Sequence, residues 1–114
     1  MKTAHDPRHI HRIALVKQLY AYSFTGEVGQ EIAPIIEKLP DIDARIQAVA
    51  TNWDLAGINK IDLAILRLGV FELDSKEIKA EIVMDEAIEI AKEYGADASK
   101  SFVNAVLSKL AANL

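Results

Sequence analysis

Phe102, Val103, Val106, Leu107 and Leu110 recur at helical spacing within residues 96–110 and give one broad apolar stripe. A helix with such a stripe must bury it against another element. Gly95 stands where the preceding helix would end and is placed to adopt positive φ there. Asp97 or Ser99 is placed to cap the next helix by accepting hydrogen bonds from its free N–H groups. Asn104 is the polar residue beside the stripe; if buried, its amide has to hold neighbouring backbone, and its role is read as structural.

The same period runs through the rest of the chain. Asp6-Pro7 opens a first helix, with Asp as cap and Pro in the first turn, that continues to about Phe24 and ends at Thr25-Gly26. Ile13, Leu15, Val16, Leu19, Tyr20 and Phe24 supply its buried side, and Arg8, Arg12 and Lys17 fall at spacings that share another face. A second helix is predicted from Glu27 to about Lys38, with Pro34 tolerable only near its start. A third, capped by Asp41, runs to roughly Thr51, and a short turn centres on Gly57. The fourth starts near Asn59 or Lys60 and presents Ile61, Ala64, Ile65, Leu68 and Phe71, closing at Asp74-Ser75-Lys76. The fifth covers about 79–94 with Val83, Ala87, Ile90, Ala91 and Tyr94. No strand-like alternation competes, so the expected class is all-α with about six helices.

A chain of 114 residues has room for one core and not for two. Half of it is hydrophobic and none of it is cysteine, which rules out disulfides and thiolate metal sites. There is no Gly-rich phosphate loop, no Ser/His/Asp set in a pocket-forming context and no Cys nucleophile, so no enzyme activity and no cofactor are expected. His5 and His9 are four apart, a spacing that holds a metal on a helix, but only Asp6 or His11 offers a third ligand and no metal site is expected. No apolar run approaches membrane-spanning length, the first residues lack an apolar leader pattern, and a cytoplasmic protein with no membrane partner is expected.

Net charge is −4, but its distribution matters more than the sum. Residues 54–114 hold 7 Lys and Arg against 11 Asp and Glu, whereas residues 1–20 carry Lys2, Arg8, Arg12 and Lys17 against Asp6 alone. This polarity suits a protein that touches RNA with one edge and a basic partner with another. Arg8 and Arg12, with Lys2 and His9 nearby, are the candidate contacts to phosphates and bases, although a solvated helix face gives the same pattern. Tyr20 and Phe102 are rings on which a base stacks, or ordinary core residues.

The run SKSFVNAVLSKL, preceded by EAIEIAKEYGADA and IDLAILRLGVFEL, resembles the NusB family of transcription antitermination factors. The likeness is nearly continuous from Ile61 to Leu110, and RHIHRIALVKQLYAYSFTGE adds a weaker collinear match. It implies a single NusB-like domain over 1–114, made of helical subdomains at 1–53 and 54–114, the first compressed because 27–53 is short for two full helices. It also implies binding to single-stranded boxA-like RNA, pairing with NusE (a small-subunit ribosomal protein), and entry into the RNA polymerase antitermination complex during ribosomal RNA synthesis. Carried onto this chain, the RNA set is Lys2, Arg8, His9, Arg12, Tyr20, Lys100 and Phe102, and the partner set is Tyr20 and Asp62. Two departures stand out. His9 and Ile10 occupy places where the family often has arginine, which implies weaker affinity or greater reliance on the partner, and Ala98 replaces a commonly acidic residue. Two alternatives remain open: a helical adaptor that has lost RNA binding, and a detached recognition domain of a ribosomal RNA cytosine methyltransferase.

Overall fold

Residues 62–70 are buried without a break in the computed structural model, which describes residues 6–113. They lie in α4 (Lys60–Ser75), and the reason for their burial is position. The elements run α1 (Pro7–Thr25), α2 (Ala33–Glu37), α3 (Leu39–Val49), a 3-10 turn (Leu55–Gly57), α4, α5 (Ala80–Tyr94) and α6 (Ser99–Ala112). Every other α-helix packs against α4. The spacing of Ile61, Ala64, Ile65, Leu68 and Phe71 predicts one apolar face, but Leu63, Leu66 and Val70 on the other sides are buried as well. A helix covered all round is the axis of a bundle rather than a wall of it. The class is all-α, with six α-helices and no strand among the described residues.

Local chemistry sets the ends of the helices. Asp6 Oδ1 accepts the Arg8 N–H at 2.9 Å to cap α1, and Gly26 closes it at φ 70°, its N–H donating to the Tyr22 carbonyl at 2.9 Å. Asn59 Oδ1 caps α4 by accepting from Ile61 N–H at 2.9 Å. The second helix is shorter than its apolar spacing predicts. Pro34 belongs in a first turn, so residues 27–32 stay outside the helix and α2 keeps only five residues. For the same reason Pro40 moves the start of α3 back to Leu39, and Asp41 sits in its first turn instead of capping it.

Two ion pairs fix α3 along α4. Arg67 makes a two-pronged contact with Asp43, Nε to Oδ1 and Nη2 to Oδ2, both at 2.9 Å. Arg45 donates to both oxygens of Asp74, at 2.8 and 2.6 Å, which holds its guanidinium above the ordinary value.

Four expectations at the helix ends and faces are corrected. Gly95 has φ −91° and ψ −176°, an extended conformation open to any residue. What demands glycine is space: a Cβ here would meet Ser99 Cβ and Oγ at 2.5 Å and the Ala91 carbonyl at 2.7 Å. Neither Asp97 nor Ser99 caps α6; Ser99 Oγ accepts the Ala96 N–H at 2.9 Å and Ala98 occupies the cap position. Asn104 is exposed and holds no buried backbone, and Phe24 and Tyr94, expected inside, face solvent.

Candidate nucleic-acid interface

The start of α1 divides its basic residues between solvent and core. Arg8 returns to its own cap, Nη2 to Asp6 Oδ2 at 3.2 Å, yet its side chain is 82% exposed. Their mutual bond holds the Asp6 carboxyl below its ordinary value and the Arg8 guanidinium above. His9 and Arg12 go the other way. His9 Nδ1 lies 3.1 Å from Glu86 Oε1, and its Nε2 lies 3.7 Å from Glu93 Oε2. Arg12 Nε donates to Glu72 at 2.9 Å and its Nη1 to Glu86 at 3.2 Å. His9, Arg12 and Glu86 are all buried.

The i, i+4 spacing predicts that Arg8 and Arg12 share a solvent-facing strip, and the structure breaks that strip in two. One turn beyond Arg8, α1 passes between Glu72 of α4 and Glu86 of α5, and these carboxylates draw Arg12 inward. Arg8 stays on the rim of a groove of about 970 Å³ that His11, Glu77, Lys79 and Asp85 also line, and into which the Arg12, Glu72 and Glu86 cluster still opens. Lys17 is exposed and sits 5.4 Å above the Tyr94 ring. Lys2 and His5 lie outside the described residues. Among the described residues no group of three His, Cys, Asp or Glu side chains is placed to hold a metal ion.

The aromatic candidates differ in setting. Tyr20 is exposed on α1 and meets Phe24 edge-on, ring centroids 5.0 Å apart. Phe102 is half-buried in the first turns of α6 and packs edge-on against Trp53, 6.3 Å away. Lys100, two residues earlier, is exposed.

Asp62, expected to face a partner, is only 6% exposed. It lies in the first turn of α4, where a carboxylate suits the helix dipole. The Ser99 hydroxyl stands beside it, but Oδ1 has no hydrogen-bond partner. Burial pushes this carboxyl above its ordinary value, against the smaller opposing effect of Ser99. An acid whose folded pKa is raised binds its proton more tightly folded than unfolded, so it costs stability above that pKa and the cost fades as pH falls. Asp62→Asn is therefore expected to gain on the parent as pH rises. Urea unfolding at pH 4 and pH 7, near and well above the ordinary value of 3.8, checks it, and a difference independent of pH would contradict the assignment.

The candidate residues thus form two groups. Arg12 meets α4 at Glu72, and α6 begins beside Asp62, ten residues and so about 15 Å earlier along the same helix. Glu72, Glu86 and Trp53 were not singled out by their sequence context. The first two are acids inside apolar helical runs, a signal of inward-facing charge that has meaning only once a cation is found opposite.

What the fold and these sites define is a six-helix bundle built on a buried central helix, with a groove of mixed charge edged by Arg8 at one end of that helix and an aromatic pair towards the other. The NusB family model matches residues 28–112, and the chain belongs to that family. It is 41% identical over 95 residues to transcription antitermination protein NusB of Geobacter sp. strain M21, covering 82% of this chain and 63% of that protein. The corresponding protein of Pseudothermotoga lettingae is 37% identical over 107 residues, covering 93% and 71%. The chain thus spans less than two thirds of the length of the Geobacter relative. Among solved structures, T. maritima NusB superposes with a TM-score of 0.85 at 33% identity, covering 98% of this chain and 93% of that one.

Proposed function

We propose that this chain is an RNA-binding transcription antitermination factor that holds boxA-like nascent RNA, pairs with NusE and supports ribosomal RNA transcription. The observation that carries this reading is family membership: relatives aligned over 82% and 93% of the chain are transcription antitermination proteins. Residues 1–53 and 54–114 act in it as two subdomains of one domain. The function is binding, with no bond made or broken.

Arg8, Lys100, Tyr20 and Phe102 are the described candidates with solvent access, and Arg8 is the exposed cation of the α1 rim. Phosphate contacts of this kind release counterions, so affinity for a single strand falls with salt by a slope of about 0.7 per contact. Fluorescence anisotropy of a labelled boxA-like RNA at two salt concentrations, with and without NusE, tests the reading. Binding tightens with NusE, and Arg8→Ala weakens it and lowers the salt slope by about 0.7. No binding by the folded protein in either mixture would sink the RNA role.

A second reading, a helical adaptor without RNA binding, draws on one observation. Two of the expected contacts, His9 and Arg12, are engaged by Glu72 and Glu86. Under it the same titration is flat while NusE still binds.

A further inference from the structure

α1 turns a second apolar stripe away from the core. Ile10, Ala14, Lys17, Ala21 and Phe24 follow one another at spacings of 4, 3, 4 and 3 residues, and all of them are exposed. Ile10 is 50% and Phe24 63% exposed, while His9, Arg12, Val16 and Leu19 serve the core from the other side. The outward face of a surface helix is ordinarily polar, so the bundle by itself does not account for this pattern. Alternating steps of 4 and 3 make the seam that the side chains of a second helix fill. This one runs for about 21 Å of helix at 1.5 Å per residue. Aromatic side chains widen it. Tyr20 meets Phe24 edge-on at 5.0 Å, and the exposed Tyr94 of α5 lies 5.4 Å below the Lys17 ammonium.

We propose that this outer face of α1 docks an acidic amphipathic helix of a partner protein. Charge selects the occupant. No Asp or Glu occurs among the 19 residues of α1, which carries Arg8 and Lys17 on its exposed side. The acids that border it come from other segments and are engaged there. Glu31 accepts from Gln18 at 3.0 Å and lies 3.9 Å from His11, and Glu93 lies 3.7 Å from His9. A cation inside an apolar seam suits a carboxylate across it and penalises another cation. The stripe is symmetrical about Lys17, so a second copy of the chain, parallel or antiparallel, would set Lys17 against Lys17. Single-stranded RNA holds such a strip by stacking its bases on rings, and Ile10, Ala14 and Ala21 offer none. The seam therefore lies beyond the RNA reading, which engages the rim at Arg8.

Two synthetic helical peptides of about three heptads, with one leucine seam in common and flanked by Glu in one and by Lys in the other, serve as probes. Each is labelled and titrated with the full chain while its anisotropy is followed. The Glu-flanked peptide binds and the Lys-flanked peptide does not. Ile10→Ser and Phe24→Ser each weaken that binding about 5-fold or more, and Lys17→Glu transfers the preference to the Lys-flanked peptide. All three side chains are exposed, so the variants keep the circular dichroism of the parent. Binding of neither peptide, equal binding of both, or binding that survives both serine changes overturns the docking face. A fall in affinity for boxA-like RNA in either serine variant assigns the stripe to nucleic acid and overturns it too. So does a dimer in sedimentation velocity that Phe24→Ser dissociates, which would give the stripe to a second copy.

Discussion

Arg12→Met is expected to lower the unfolding free energy by about 3–5 kcal/mol at neutral pH, measured by urea denaturation. Methionine keeps much of the side chain's volume, so a cavity is a small part of the loss. The larger part is electrostatic. Removing the guanidinium leaves Glu72 largely buried beside the Glu86 carboxylate, which raises it further, without the cation that lay between them; Glu86 keeps its contact with His9. Burial already raises the Glu72 carboxyl above its ordinary value, and Arg12 is the main influence holding it down. In the variant it rises further. A raised folded pKa costs stability above that pKa, so the deficit is greatest near pH 7 and shrinks as pH falls toward the ordinary value of 4.5. Adding Glu72→Gln to the variant restores part of the loss, because a neutral amide tolerates burial better than a carboxylate that has lost its cation, whereas Glu86 keeps His9 beside it. A loss under about 1 kcal/mol at every pH, the range of an exposed pair, would show that the cluster is hydrated rather than sequestered.

Gly95→Ala is the second large effect, a loss of about 3 kcal/mol from overpacking, seen as a fall of roughly 10 °C or more in thermal midpoint. The new methyl meets Ser99 and the Ala91 carbonyl at once, and neither is the flexible end of a long side chain. Relief requires opening the turn between α5 and α6, which also disturbs the Ser99 hydroxyl that receives the Ala96 N–H. Gly26→Ala provides the control. That residue has the left-handed backbone, φ 70°, but open space around it, so its cost is about 1–2 kcal/mol of backbone strain. If Gly26→Ala were the more damaging of the two, the steric account of Gly95 would be wrong.

These two residues also show where the sequence is readable. Periodicity places α1, α4, α5 and α6 within a few residues of their ends, helped at α1 and α4 by the local markers Asp6-Pro7, Gly26 and Asn59. It misplaces the start of α2, since the apolar spacing at Ile32, Ile35 and Ile36 outweighs Pro34 on paper but not in the chain. It also cannot tell a helix with one covered face from one covered on all sides, as α4 is, because that depends on which other helices arrive. The candidate site follows the same rule. Arg8 is exposed as read, but the partners of Arg12 lie 60 and 74 residues away, and no local spacing announces them. Asp62 is acidic at the expected point of the fourth helix, yet α6 covers it.

The central position of α4 makes the halves of the bundle mutually dependent. Its backbone amides reach water only through openings that displace its neighbours, so slow proton exchange there reports the unfolding of the whole molecule and not of a part. A break between α3 and α4 would leave one fragment without an axis and the other with that axis bare along the sides that α1 and α3 now cover. The aromatic pair spans this same junction, with Trp53 on the near side and Phe102 on the far side. The contact therefore forms only once the first and second halves of the chain have come together.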